Sequence, residues 1–302
     1  MTEKIIGQAL EMGIKMVVLP ISVLGEIKAD IEAFVAENKL SDYQKWIIDN
    51  RYILDMPSVG FEAKSLVVAI WRRKPYEVVF RHGGREISCI IQNAYLDREV
   101  GGNGDIWEIF GGVGLSLKYF HWMPLKRMVV CAGLGTYGRN NIVYNDEWGS
   151  FFQIGVYASD LEVGEYEWRD VVNMGLCDGC GECVKNCPTK AIVANRFLVD
   201  GEICLSKLTG DGETDIPDWV DKADVNSVYG CFRCQKICPI NEKVLENMER
   251  ILFDEEETGA ILNSRSFADF PRGVKEKLWH FDTGAEFSCI PRNLRVMLEN
   301  IN

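Results

Sequence analysis

The chain has 302 residues, is 47% hydrophobic and carries a formal net charge of −12. It is long enough to bury a full core. Its 45 acidic residues outnumber its 33 basic ones, so few cations remain for a phosphate backbone and we expect no nucleic acid as a partner. The longest uncharged apolar stretch is interrupted by Pro20, and no secretory signal is visible. We therefore expect a cytoplasmic protein with no membrane partner.

Apolar periodicity predicts helices and strands mixed along the first half of the chain. A helix is predicted at the start, then a strand around residues 16–19, then a second helix that Ser22 caps and that continues to about Glu37. Further strands are predicted at residues 66–71, 76–80, 86–91 and 150–157, with a glycine-rich loop at residues 101–104. This mixture favours an α/β or α+β fold.

Most of the eleven cysteines lie in two short runs, each ending in a Cys-Pro pair. The first run has the spacing C-x2-C-x2-C-x3-C-P, typical of bacterial ferredoxins, in which the fourth cysteine binds the other cluster. The second run lacks one cysteine, and we predict that Cys204 supplies it. The predicted ligands are Cys177, Cys180, Cys183 and Cys238 for one 4Fe–4S cluster (cluster A), and Cys187, Cys204, Cys231 and Cys234 for another (cluster B). Zinc also binds C-x2-C pairs, but zinc sites rarely place three cysteines within seven residues.

Three cysteines remain outside these runs, namely Cys89, Cys131 and Cys289. A single cysteine away from other ligands is usually a small buried apolar residue. We expect that role for Cys89 in a strand and Cys131 in a helix.

Gly133, Gly135 and Gly138 form a G-x-G-x-x-G motif, but its context is not that of a dinucleotide-binding loop. Such a loop follows a strand and opens a helix. Here Pro124 begins a predicted helix that Gly133 ends, and a strand-like segment follows at residues 140–144. Glycines at such a turn allow the close approach either of a neighbouring strand or of a large flat cofactor.

The order of these motifs resembles that of the epoxyqueuosine reductases and reductive dehalogenases. The resemblance covers roughly residues 1–245. It rests on residues 62–70 (EAKSLVVAI), on residues 124–161 (PLKRMVVCAGLGTYGRNNIVYNDEWGSFFQIGVYASDL), and on the eight cysteines predicted to bind clusters A and B, which include Cys204. It implies a nitroreductase-like cofactor domain at residues 1–170 and a ferredoxin-like two-cluster domain at residues 171–245. A helical extension would follow at residues 246–302.

The resemblance also implies a cofactor and an electron path. Electrons would come from a low-potential donor such as ferredoxin or flavodoxin and pass through the clusters to the cobalt of a corrinoid such as cobalamin. The residues implied at the corrinoid site are Gly133, Gly135, Gly138, Asn140 and Asn141, with Gly149 and Ser150 close by. Arg139, whose planar fork suits bidentate contacts, is predicted to pair with a phosphate or carboxylate of cofactor or substrate. FMN on the same fold is one alternative, and an electron-transfer module that reduces a partner protein is another.

The chain departs from the family pattern at the proton donor. Epoxyqueuosine reductases have an aspartate ahead of the helix that precedes the glycine turn, and no aspartate lies between Gly111 and Gly135. Tyr137 and His121 are the predicted replacements, with Tyr119 as a further alternative, because a phenol or imidazole can donate a proton near a reduced cofactor. We expect a divergent paralogue acting on an unknown small-molecule or protein substrate, and not on epoxyqueuosine in tRNA.

Overall fold

The computed structural model describes residues 1–92, 102–194, 198–210, 212, 214–265, 267–279 and 289–300. The chain forms two compact units, each assembled from two segments. Unit one comprises Met1–Arg72 and Asp97–Asp178, and unit two comprises Arg73–Leu96 and Gly179–Asn302. The division expected from the sequence fell at residues 170 and 245, and it did not anticipate that the early segment Arg73–Leu96 belongs with the cysteine-bearing part.

The elements alternate through both units. The helices are α1 (Thr2–Glu11), α2 (Val23–Glu37), α3 (Asp42–Arg51), α4 (Gly102–Gly111), α5 (Leu125–Cys131), α6 (Cys177–Cys180), α7 (Glu182–Asn186), α8 (Leu205–Gly210), α9 (Arg233–Lys236), α10 (Glu242–Leu245), α11 (Glu255–Asn263), α12 (Arg272–Trp279) and α13 (Cys289–Glu299). The strands are β1 (Ile14–Pro20), β2 (Ser65–Arg72), β3 (Pro75–His82), β4 (Arg85–Gln92), β5 (Leu117–Tyr119), β6 (Thr136–Tyr137), β7 (Val143–Tyr144), β8 (Phe152–Ser159) and β9 (Glu249–Phe253). The predicted mixed helix and strand class is confirmed.

Unit one is built on an antiparallel sheet with the strand order β1-β2-β8-β5. Every residue of β2 from Ser65 to Trp71 is buried, which explains its unbroken apolar sequence. One face of β2 packs in the same core as Ile5 of α1 and Phe110 of α4. The β2 residues of this face are Val67, Ala69 and Trp71. The strands predicted at residues 66–71 and 150–157 are therefore present, the second as β8.

Two helix starts differ from the prediction. Ser22 occupies the N-cap position of α2, but its side chain accepts no capping hydrogen bond. In contrast, α3, which was not predicted, begins with a full capping box between Ser41 and Gln44, for which the sequence carries the S-x-x-Q signal. Helix α4 begins at Gly102 where a loop was expected, and Gly101 lies outside the described residues.

Unit two contains a second sheet with the order β4-β3-β9. Strands β3 and β4 form the predicted hairpin through Gly83 and Gly84, both at positive φ. Strand β9 pairs parallel with β3, and the rings of Phe80 and Phe253 stack with centroids 5.0 Å apart. Residues of α11, α12 and α13 complete this core. The expected C-terminal helical extension is thus part of unit two.

No helix within the described ranges is long and apolar enough to cross a membrane.

Candidate functional site

The first cysteine run lies on two very short helices separated by a glycine. Cys177 and Cys180 are the ends of α6, and Cys183 lies in α7. Between them Gly181 has a φ of +71°, a conformation that residues with a side chain rarely adopt. This glycine lets the chain change direction between Cys180 and Cys183, as a loop wrapped around a compact group requires.

The cysteines predicted for cluster B pack together within unit two. Cys187 is buried in a small apolar cluster with Ala191 and Ile192, and Cys204 and Cys234 pack against that cluster. Burial raises the pKa of the Cys231 thiol, and the neighbouring Cys187 raises it further. The structure therefore brings Cys187 of the first run to the cysteines of the second run, as cross-ligation requires.

Hydrogen-bond donors surround these sulfurs. Burial raises the pKa of the Cys204 thiol, while the backbone N–H groups of Ser206 and Lys207 lower it. The amide Nδ2 of Asn226 donates to Sγ of Cys231 at 3.2 Å. Apolar packing combined with N–H donors to sulfur is the environment of an iron–sulfur cluster. Asn226 had not been singled out from the sequence, because an asparagine five residues before a cysteine is no recognised signal.

The remaining predicted ligand, Cys238, precedes Pro239, which begins a single 3-10 turn at Pro239–Asn241. No three His, Cys, Asp or Glu side chains in the described ranges converge on the position of a single metal ion. A cubane does not need such a point, because each of its cysteines binds a different iron atom. The cysteines predicted for cluster B, which pack together, therefore fit such a cluster.

The glycine turn of unit one is packed against its own strand. Gly133 has a φ of +73° and ends α5 as predicted. A Cβ atom added to Gly135 would lie 2.8 Å from the carbonyl oxygen of Tyr144 and 2.8 Å from Cγ1 of Val143. A Cβ on Gly138 would lie 2.6 Å from the Tyr144 ring. For Gly135 and Gly138, the structure shows the close approach of a neighbouring strand.

The polar residues of the turn are also engaged internally. Asn140 is buried, and its Nδ2 donates to the Tyr144 hydroxyl at 2.8 Å. Asn141 adopts a positive φ, and Lys126 Nζ donates to its carbonyl oxygen and to its Oδ1. Gly149 exchanges two backbone hydrogen bonds with Asn145, and Ser150 is buried beside it. These side chains and backbone groups build the turn.

The two predicted proton donors lie in different surroundings. Tyr137 is only 5% exposed, and burial raises its pKa, so its phenol is closed to solvent and less acidic than usual. His121 is exposed, with its ring edge-on to Tyr119 at a centroid distance of 4.5 Å. Arg139 is half-buried and its guanidinium donates to the carbonyl oxygen of Cys177. Of the two donors, only His121 is open to solvent.

These observations bear on the implied corrinoid. The predicted site relied on glycines and amides that would offer bare backbone and free polar groups to a flat cofactor. Gly135, Gly138 and Asn140 contact Tyr144, so their packing is explained within the turn, and a corrinoid at these residues stays a prediction.

The cysteines outside the runs are buried, as expected. Cys89 lies in the core of unit two, where burial raises its pKa to about 11. Burial likewise raises the pKa of Cys131 to about 11. Cys289 is fully buried, and its thiol donates to the carbonyl oxygen of Val228.

Comparison with known proteins supports the cluster site. Residues 176–241 match the model of the 4Fe-4S double cluster binding domain. Curated epoxyqueuosine reductases are 36% identical over 116 residues in Cyclobacterium marinum, 39% over 113 residues in Escherichia coli and 32% over 180 residues in Yersinia pestis. These matches span 38%, 36% and 58% of this chain and 36%, 28% and 42% of the relatives, so the chain matches less than half the length of each.

Solved structures extend the likeness to the whole fold. Epoxyqueuosine reductase from Bacillus subtilis aligns with 98% of this chain and 80% of its own, with a TM-score of 0.66 at 19% identity. An epoxyqueuosine reductase solved with an epoxyqueuosine-modified tyrosine tRNA stem loop aligns over the same shares with a TM-score of 0.65 at 20% identity. A catabolic reductive dehalogenase aligns with 79% of this chain at a TM-score of 0.39.

The double-cluster match and the cysteine geometry define a two-cluster 4Fe–4S protein. The curated matches and the shared fold then confirm the predicted resemblance: the chain is similar to the epoxyqueuosine reductases.

One prediction is wrong. The acidic composition led us to exclude nucleic acid as a partner, yet a protein of this fold is solved with a tRNA stem loop. Net charge is a sum over the whole surface, and it does not exclude a local contact with RNA. The comparisons give no support to FMN.

Proposed function

We propose that this chain is an iron–sulfur oxidoreductase and that its substrate is epoxyqueuosine in tRNA. The observation that carries the proposal is the 39% identity over 113 residues to the Escherichia coli epoxyqueuosine reductase. The shared fold over 98% of the chain supports it. Both likenesses include only part of the length of those proteins, so the activity itself is what must be tested.

The proposed reaction fits a two-cluster protein. Removing an epoxide oxygen as water and leaving a double bond consumes two electrons and two protons. Each cluster passes one electron at a time, so an external low-potential reductant must supply two electrons in sequence. The clusters can hold one electron each before the substrate reacts.

We propose that His121 is the proton donor of this chain. Its imidazole is exposed and lies edge-on to Tyr119, whereas the phenol of Tyr137 is buried and less acidic than usual. An exposed imidazole can change its protonation near neutral pH. His121→Gln should therefore slow turnover while leaving both clusters in place, and the iron content of the variant is the check. A corrinoid at the glycine turn, which the resemblance implies, stays a prediction, and the assay with and without added cobalamin tests it.

The deciding experiment uses anaerobically reconstituted protein, dithionite and an epoxyqueuosine-modified tRNA stem loop. Queuosine formation is followed by mass spectrometry of the digested stem loop, with and without added cobalamin. The matched control is Cys231→Ala, which removes a predicted cluster ligand. Formation of queuosine by the unaltered protein and not by the control supports the proposal. Absence of queuosine under both cobalamin conditions, with full iron content, rejects this substrate.

A second candidate is a protein that passes electrons to another protein. The observation that favours it is the packing of Gly135 and Gly138 against Tyr144, since an electron-transfer module needs no cofactor cradle in unit one. Such a protein should reduce a protein acceptor at the same rate with and without His121→Gln. A rate that falls in this variant would contradict it.

A further inference from the structure

The peptide that leads into the first cluster cysteine is bound along the glycine turn of unit one. The N–H of Tyr137 donates to the carbonyl oxygen of Val172 at 2.9 Å, and the N–H of Met174 donates to the carbonyl oxygen of Tyr137 at 2.8 Å. Tyr137 and Asn173 form a parallel bridge. The segment is thus held as an added strand beside β6, and Cys177 follows it directly.

Arg139 contacts Cys177 twice at the end of this pairing. Its backbone N–H donates to Sγ of Cys177 at 3.4 Å. Its guanidinium Nη2 donates to the carbonyl oxygen of Cys177 at 3.0 Å. The preceding Gly138 is fixed against the Tyr144 ring, so the direction of the Arg139 N–H is set by the turn.

We infer that Arg139 is a positioning residue that raises the reduction potential of the cluster bound by Cys177. This inference rests on the assignment of Cys177 as a cluster ligand. Reduction of a 4Fe–4S cluster adds one electron, supplied here by dithionite, and forms or breaks no bond. An N–H donor to a ligand sulfur and a nearby positive charge both stabilise the more negative, reduced state. The guanidinium bond to the Cys177 carbonyl also keeps the N–H on the sulfur.

Unit two offers a counterpart in Asn226, whose Nδ2 donates to Cys231 Sγ. Its amide is fixed on both sides, since Nδ2 also donates to the Asp224 carbonyl oxygen at 2.8 Å and Oδ1 accepts from the Phe232 N–H at 3.3 Å. Cys177 and Cys231 are predicted ligands of different clusters. Substitution of Arg139 and of Asn226 should therefore act on different clusters.

The test is a dithionite titration of the anaerobic holoprotein, followed by EPR, for wild type, Arg139→Gln, Arg139→Lys and Asn226→Ala. Arg139→Gln should lower the potential of one cluster, and Asn226→Ala should lower that of the other. Arg139→Lys, which keeps the charge but loses the fork, should give a smaller shift on the same cluster as Arg139→Gln. Unchanged potentials in Arg139→Gln, or a shift of the same cluster by both Arg139→Gln and Asn226→Ala, would overturn the inference.

Two further measurements keep the outcome decisive. If Arg139→Gln fails to assemble, Arg139→Lys alone decides, because a lower potential of one cluster supports the inference and an unchanged one rejects it. Cys177→Ala tests the underlying assignment separately through its iron content. Two intact clusters in that variant would show that Cys177 is not a ligand and would overturn the inference. Queuosine formation is measured separately from the cluster potentials and the iron content, so failure of the proposed function and failure of this inference are distinguishable.

Discussion

Replacing Gly135 by alanine should destabilise unit one because of contacts within the turn. The new Cβ would lie 2.8 Å from the carbonyl oxygen of Tyr144 and 2.8 Å from Cγ1 of Val143. The oxygen belongs to the backbone of β7 and cannot rotate away, so the strand itself must move. Overpacking of this kind costs about 1–3 kcal/mol.

Thermal unfolding of the anaerobic protein, followed by circular dichroism, measures this cost. A loss of about 1–3 kcal/mol corresponds to roughly 2–4 °C in Tm per kcal/mol for a unit of this size. The matched control is Gly7→Ala in α1, where an added Cβ meets nothing within 4 Å. Alanine in a helix is favoured over glycine by about 0.5–1 kcal/mol, so the control should raise Tm slightly.

The two variants separate a structural glycine from a cofactor-contacting one. If Gly135→Ala melted at the wild-type temperature and yet abolished binding of added cobalamin, the close contact with Tyr144 would not be the reason for the glycine. A lower Tm, without any added cofactor, is the result expected from the packing.

Three further outcomes are expected. Cys204→Ala should lower the iron content by the cluster that Cys231 and Cys234 are predicted to share, whereas Cys289→Ala, which removes a thiol outside both runs, should keep about eight irons per chain. Asn293→Ala should lower the free energy of unfolding by about 1–3 kcal/mol, because its buried Nδ2 donates to the carbonyl oxygens of Thr209 and Val228 and each of these two hydrogen bonds contributes about 0.5–1.5 kcal/mol; the exposed Asn300→Ala should change it little in the same urea titration. Cys131, with a pKa of about 11, is almost wholly protonated at pH 8, so iodoacetamide should label it only as the pH approaches that value, and labelling at pH 7 in the folded protein would contradict its burial.

The cysteine site was predictable because its signal is local. Spacing along the chain decides which sulfurs can reach one cube, and Cys204 followed from the ligand missing in the second run. The apolar runs of β2 and β8 were equally visible, since a strand buried in a sheet must be apolar along its length. The capping box at Ser41 was also present in the sequence and could have been used.

The remaining features depend on partners that are distant in sequence. A G-x-G-x-x-G motif indicates that another group packs closely against the backbone. Only the fold shows that this group is Tyr144, which packs against Gly135 and Gly138. The same limit applies to Tyr137, whose burial depends on the segments packed around it. The parallel pairing of β3 with β9 joins residues more than 160 positions apart, which no local pattern encodes.

That pairing has a consequence for how the protein is made. Strands β3 and β4 leave the ribosome early, but the partner strand β9 and the helices that cover Phe80 and Cys89 are synthesised after the whole of unit one. During translation the hairpin presents an unpaired strand edge and an uncovered apolar face, the combination that favours association between nascent chains. Unit one, whose last segment ends at Asp178, can close first. Protein synthesis in the cell should therefore depend on chaperones until β9 emerges, and cluster insertion into unit two should follow the completion of the chain.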